Sequence, residues 1–181
     1  MGALTEDGSR GLGDSMLRRS LLRMIRAAIL AGVAVHVAGL ASAAGSLPVP
    51  RFASLRSDKI YLRAGPGLEF PVQWVYQRKH MPVEVIGEYD VWRKIRDWQG
   101  TVGWVHQSML DGQRYALITG SERLLRVDPD DASAPSAKLE PGVVATLLRC
   151  QGVWCRLEAD GYKGWVRRDE FYGIYPEEKL E

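Results

Sequence analysis

Histidine, cysteine and long apolar runs are all scarce in this 181-residue chain, and each shortage removes a class of function. The histidines are His36, His80 and His106. Neither His80 nor His106 has a cysteine, a serine motif or a second histidine at metal-ligand spacing nearby, so no metal centre and no catalytic residue is expected. His80 reads as an exposed loop residue. No glycine-rich loop precedes a helix, which leaves no phosphate cradle, and no cofactor is expected. Asp128-Pro129-Asp130-Asp131 lacks the spacing and glycine of a calcium loop and reads as a solvated turn.

The longest apolar run, Ala27 to Ala41, is interrupted only by His36 and is 15 residues long. A bilayer needs about 20. Arg18, Arg19, Arg23 and Arg26 precede it, and Ala41-Ser42-Ala43 follows with the small-x-small pattern of a signal peptidase site. Basic, apolar, small is the order of a secretory signal peptide, so residues 1–43 are expected to be removed and the product to be periplasmic or secreted. An uncleaved membrane anchor is the alternative. Met1 to Ser15 is polar and sits awkwardly ahead of the basic region, which makes Met16 the expected start. Residues 1–43 carry five arginines and three acidic groups, so the remainder holds 19 basic and 19 acidic groups. A neutral mature chain has no basic stripe to neutralise phosphates, and nucleic acid is excluded as a partner.

Cys150 and Cys155 flank Gln151-Gly152-Val153-Trp154, a strand turn. In an exported chain such a pair is expected to close as a structural disulfide. The alternatives are free thiols or a reactive Cys155, although the spacing is not that of a Cys-x-x-Cys motif.

The tryptophans organise what remains. Val91-Trp92-Arg93-Lys94-Ile95 is followed by Val102-Gly103-Trp104-Val105, and the pattern returns as Val153-Trp154-Cys155-Arg156-Leu157 and Lys163-Gly164-Trp165-Val166. Trp92 to Trp154 is 62 positions and Trp104 to Trp165 is 61. Arg51-Phe52-Ala53 matches Arg114-Tyr115-Ala116, and Leu62-Arg63 matches Leu125-Arg126, both at an offset of 63. A period of about 60 residues with glycine-punctuated strands predicts a small all-β module used twice. The expected organisation is a leader over 1–43, a linker over 44–50, units over 51–112 and 113–175, and a frayed charged tail over 176–181.

In the first unit, strands are predicted at Lys59 to Arg63, Val83 to Val85, Val91 to Asp97 and Thr101 to His106, with Phe70 to Tyr76 a loop or short strand. Ala64-Gly65-Pro66-Gly67 breaks the first of these and Gln99-Gly100 turns the last pair. In the second unit Asp160-Gly161 gives the matching hairpin turn. Leu110 and Phe171 occupy equivalent places and are expected to cap the two cores. Each core is thin, because a unit of about 60 residues buries only some 60% of its unfolded surface.

Leu62-Arg63-Ala64-Gly65-Pro66-Gly67, Val91 to Ile95 and Gly103-Trp104-Val105, in that order, resemble the bacterial Src-homology-3-like (SH3-like) domain. The second unit resembles it with a decayed first motif. The resemblance implies two tandem five-stranded, partly open β-barrels. It also implies an exported accessory that binds cell-wall peptide or an envelope protein. By the same resemblance, a peptide-groove tryptophan lies three residues before the buried position of its strand, as Trp92 and Trp154 do. His106 stands where eukaryotic relatives place a groove proline and Met109 where they place a groove tyrosine. In the second unit these become Arg167 and Glu170.

Strand parity divides the tryptophans. Successive side chains alternate faces, so Trp92, Lys94, Arg96 and Trp98 lie opposite Ile95, and Trp154, Arg156 and Glu158 lie opposite Leu157 and Cys155. Tyr89, Trp92, Trp98 and His106 are therefore the candidate ligand face of the first unit, with Trp154 its counterpart in the second. The other reading of Trp92 is as a plug under a loop, since large aromatics pack more often than they bind. Trp104 and Trp165 are expected to pack over a neighbouring strand. The function so read is a non-enzymatic exported binding module. Its rivals are a scaffold whose aromatic faces pack unit on unit, and a thiol hydrolase using Cys155.

Overall fold

The structure, a computed structural model, describes residues Leu47–Glu181. The expected signal peptide, its expected cleavage site and the expected Met16 start lie outside the described residues. Among the described residues no helix is long and apolar enough to cross a membrane.

The first sheet is built from β1 (Arg51–Leu55), β2 (Ile60–Arg63), β3 (Val72–Tyr76), β4 (Pro82–Tyr89), β5 (Trp92–Arg96), β6 (Val102–His106) and β7 (Leu110–Asp111). A 3-10 turn at Gln107–Met109 separates the last two. The second sheet repeats the plan with β8 (Tyr115–Ile118), β9 (Arg123–Arg126), β10 (Pro135–Leu139), β11 (Val144–Gln151), β12 (Trp154–Ala159), β13 (Tyr162–Arg167), a 3-10 turn at Arg168–Glu170, and β14 (Phe171–Tyr172). The strand orders are β3-β2-β6-β5-β4-β1-β7 and β10-β9-β13-β12-β11-β8-β14, so one topology is used twice.

Parity places the cores as expected. In β12, Cys155, Leu157 and Ala159 are buried while Trp154, Arg156 and Glu158 are half-exposed. They join Ile118, Leu125, Leu147, Val166 and Phe171 in the second core. Leu62, Val83, Val85, Ile95, Val105 and Leu110 form the first. Asp97 also points inward, and accepts from the Tyr76 hydroxyl (3.0 Å) and from the amides of Gln99 (3.0 Å) and Thr101 (2.9 Å). This buried carboxylate fastens the β5–β6 turn, its lone pairs filled as burial requires.

Each sheet has seven strands where the resemblance implies five. In the first sheet the additions are β1 and β7, which pair with each other at Ser54↔Asp111 and Leu55↔Leu110. β1 shows no alternation because both its faces are covered: four of its five residues are buried. Ala53 and Leu55 enter the first core, while Phe52 on the other face meets the second barrel.

That meeting is a joint of aromatic and charged groups. Phe52 packs edge-on against Tyr172 (5.1 Å) and tilted against Tyr175 (4.7 Å), with the Arg114 guanidinium 5.6 Å from its ring. Arg114 pairs with Glu178 and donates to Gly173 O (2.7 Å). Glu84, 6% exposed, accepts from Arg96 Nε (2.8 Å) and from the Tyr175 hydroxyl (2.8 Å). Tyr172 donates to Arg96 O (3.1 Å), and His80 stacks on Tyr115 (4.3 Å). His80 is thus no exposed loop histidine; a positive φ turns its ring onto the second barrel. The tail does not fray either. Glu178 is held by Arg114, Leu180 packs on the second core, and Leu180 O accepts from Cys150 N (2.8 Å).

The joint makes stability depend on pH in the alkaline range. Burial first, and then the Glu84 carboxylate, raise Tyr172 and Tyr175 well above the ordinary phenol value, and burial with Asp97 does the same for Tyr76. A group whose folded pKa is raised contributes stability that is complete below its unfolded pKa and is lost as pH rises through the folded one. The melting temperature is therefore expected to hold up to about pH 10, the unfolded tyrosine value, and to fall above it. A Tyr172→Phe/Tyr175→Phe double variant should fall less steeply, and equal slopes would remove the tyrosines from the account.

Candidate functional site

Trp92 opens β5 on the face opposite Ile95, and the β5–β6 register sets it directly across from His106. The two rings meet edge to face at 5.7 Å. His106 is oriented in turn by Ser108, whose amide approaches Nδ1 at 3.2 Å and whose hydroxyl lies 2.7 Å from it. The 3-10 turn that follows brings Met109 alongside.

From the other side, β2 contributes Tyr61 and Arg63. With Ile60 and Leu62 committed to the core, alternation turns both outward. Arg63 donates to Leu68 O (3.0 Å) and Phe70 O (2.8 Å), which pins the β2–β3 loop and leaves the Leu68 side chain exposed above the sheet. Lys59 Nζ sits 5.4 Å from the Tyr61 ring. Lys59, Tyr61, Leu68, Trp92, His106 and Met109 with their neighbours enclose a cleft of about 140 Å³. Its lining is mostly apolar and carries two cationic side chains, Lys59 and Arg63.

The predicted site residues divide. Trp92 and His106 come together as expected, but Trp92 is only 9% exposed, so it offers one wall of the cleft rather than a free face. Tyr89 is the cross-strand partner of Trp92, exposed at the end of the β4–β5 hairpin and not lining the cleft. Trp98 lies six residues beyond Trp92, roughly 20 Å at about 3.3 Å per residue. It is half-exposed on the distal turn and takes no part in the cleft. Trp154 occupies the matching position in the second barrel, where Arg167 crosses its ring at 5.6 Å while pairing with Asp131 (3.1 Å). Trp165 is buried beneath Arg149, and Trp104 is half-buried between Arg63 and Lys94.

Sequence reasoning missed Tyr61, Leu68 and Lys59. Tyr61 was within reach, because the parity rule applied to Trp92 gives its direction in Lys59-Ile60-Tyr61-Leu62-Arg63. Leu68 was not, since only the Arg63 hydrogen bonds place it.

Cys150 and Cys155 are disulfide-bonded across β11 and β12, where they are direct register partners. Cys155 is fully buried, and a bonded, inaccessible sulfur removes it as a nucleophile. The same cross-strand position in the first barrel is Glu88↔Arg93, an ion pair at 3.0 Å. One fold position is thus closed covalently in one copy and by charge in the other. An intramolecular disulfide fits an extracytoplasmic protein.

Three solved structures are similar at low level. NlpC2 and NlpC1 of Trichomonas vaginalis are each 14% identical with a TM-score of 0.32 over 72% of this chain, and 49% and 48% of theirs. An NlpC/P60 family protein from Bacillus cereus is 13% identical with a TM-score of 0.31 over 68% of this chain and 56% of its own. The chain spans about half the length of these proteins. No curated protein matches it in sequence. The bacterial SH3 domain model matches residues 56–112 and again 120–173. With two copies of one barrel, the same strand order in each and both copies matched, the chain belongs to the bacterial SH3 domain family.

Proposed function

We propose that the protein is an exported, non-enzymatic binding module that holds a cell-wall peptide, or an extended segment of an envelope protein, in the cleft beside Trp92. The observation that carries this is the convergence of Tyr61, Leu68, Trp92, His106 and Met109 from separate strands and loops around one opening in the first barrel. The second barrel has Arg167 and Glu170 at the corresponding places, and its Trp154 is covered by Arg167. Binding is accordingly assigned to the first barrel alone. The cleft is small, so it takes one side chain or a peptide terminus while the rest of the ligand lies along the exposed β2–β3 hairpin.

Calorimetric titration of the mature chain with purified peptidoglycan fragments tests this. Saturable binding is expected, weakened at least tenfold by Trp92→Ala and by Tyr61→Ala, with Trp154→Ala unchanged. Binding that survives both first-barrel substitutions would sink the assignment. Absence of wall binding together with capture of one envelope protein, lost in Trp92→Ala, would select the protein partner.

The scaffold reading keeps a specific observation of its own, for the two barrels do pack through aromatic rings. Those rings are Phe52, Tyr172 and Tyr175, however, and the joint leaves Trp92 outside it. A scaffold would therefore use the joint for rigidity and the Trp92 cleft for its partner.

A further inference from the structure

The outward face of the second barrel carries a row that the Trp92 cleft does not involve. Arg149 on β11 is the direct register partner of Arg156 on β12. Arg156 is in turn the partner of Trp165 on β13, and Trp165 of Arg126 on β9. Four adjacent strands thus set three arginines and one tryptophan side by side. Neighbouring strands are about 4.8 Å apart, so adjacent members of the row are within side-chain reach.

Like charges directly opposite on a sheet destabilise it. Among the described residues neither Arg149 nor Arg156 has a carboxylate at ion-pair distance or a hydrogen-bond acceptor. The Nε of Arg156 is buried without a partner. The next outward carboxylate on β12, Glu158, is already engaged by Lys163 at 3.3 Å. Arg126 spends one nitrogen on Ser133 O (2.8 Å). The Arg149 guanidinium lies 5.3 Å from the Trp165 ring, and that ring is only 6% exposed, so the indole fixes the plane of the cation rather than offering itself to solvent.

The fold does not demand this crowding. In the first barrel the same row reads Gly87↔Lys94, Lys94↔Trp104 and Trp104↔Arg63. Glycine stands in place of Arg149 and lysine in place of Arg156, and the pair of facing guanidinia is peculiar to the second copy.

The geometry points to an oxyanion-binding site formed by Arg149 and Arg156 over Trp165, taking a carboxylate or a phosphate group of the ligand. Two guanidinia on register-paired positions, neither held by a protein carboxylate, present N–H forks that match the oxygens of either group, and an anion seated between them offsets their like charge. The site is separate from the Trp92 cleft and does not depend on it.

The test uses the full mature chain at constant ionic strength in chloride. Thermal shift and calorimetry are run with inorganic phosphate in one arm and N-acetyl-D-alanyl-D-alanine, which carries one free carboxylate, in the other. Saturable stabilisation is expected in at least one arm. Phosphate alone identifies a phosphorylated ligand, the dipeptide alone a peptide carboxylate, and both a general oxyanion site. Arg149→Gln and Arg156→Gln should each weaken binding at least tenfold. Arg149→Lys should weaken it less, since it keeps the charge without the fork. Non-saturating shifts in both arms, or saturable binding that persists in the Arg149→Gln/Arg156→Gln double variant, would overturn the proposal.

Discussion

Gly164→Ala is expected to destabilise the second barrel by about 3 kcal/mol, the upper range for forcing extra volume into a packed site. A Cβ at this position would lie 2.5 Å from Arg126 O, 2.7 Å from Leu125 Cγ and 3.0 Å from Ser136 Oγ. The nearest obstacle is backbone, and β13 meets β9 through the single register pair Trp165↔Arg126. Moving Arg126 away would therefore loosen the contact that brings the hairpin β9–β10 onto the rest of the sheet. Gly103 is its counterpart, with Leu62 Cγ at 2.5 Å and Arg63 O at 2.9 Å, and Gly103→Ala should cost somewhat less because the closest atom belongs to a side chain. Gly87 is the control. A Cβ there would meet only Lys94 Cβ at 3.6 Å, so Gly87→Ala should change stability by less than about 0.5 kcal/mol. Denaturant unfolding of the three variants gives the order directly, and a Gly164→Ala protein as stable as Gly87→Ala would contradict the packing account.

Loss of the Glu84 carboxylate is the second large effect. Glu84→Ala is expected to cost about 2 kcal/mol, the range for a buried hydrogen bond to a charged group whose partner is left unsatisfied. Its carboxylate accepts from Tyr175 of the second barrel and from Arg96 of the first, so its removal opens the joint from both sides. The readout is coupling as well as stability. Tyr175→Phe removes the other half of the contact, and the double variant should cost less than the sum of the singles, as contacting residues do. Strict additivity would show that the joint is not made by this pair. Glu84→Ala should also separate the unfolding of the two barrels into two transitions, where a single transition is expected of the parent.

The cores and the repeat were legible because both are local or periodic properties. Alternation in Val153 to Leu157 named Cys155 and Leu157 as inward, and the Trp-to-Trp spacing gave the second copy from the first. The disulfide was legible from compartment and spacing, since its two cysteines face each other across one hairpin. β1 was invisible for the opposite reason. A strand covered on both faces has no alternation to read, and the cover on its second face comes from Tyr172 and Tyr175, more than 100 positions away. The tail reads as frayed because its composition is charged, yet Glu178 is held by Arg114 and Leu180 packs on the second core.

Trp92 shows where the boundary falls. Its sequence determined the face it occupies, because parity within a strand is a property of the backbone alone. The sequence likewise determined that two copies exist and that Arg167 and Glu170 stand in the second where the first has His106 and Met109. The tertiary structure decided that Trp92 is a wall of a cleft and that Tyr61 and Leu68 complete it, while Tyr89 and Trp98 stand apart. It also decided that the barrels join through Phe52, Glu84 and Tyr175, and that Arg149 faces Arg156. Each of these depends on register between strands and on which loop folds over which face. The long-range relations are set by the closure of the barrel as a whole, and no local window of sequence contains both partners; Arg149 and Arg156 are the exception, seven positions apart on one hairpin.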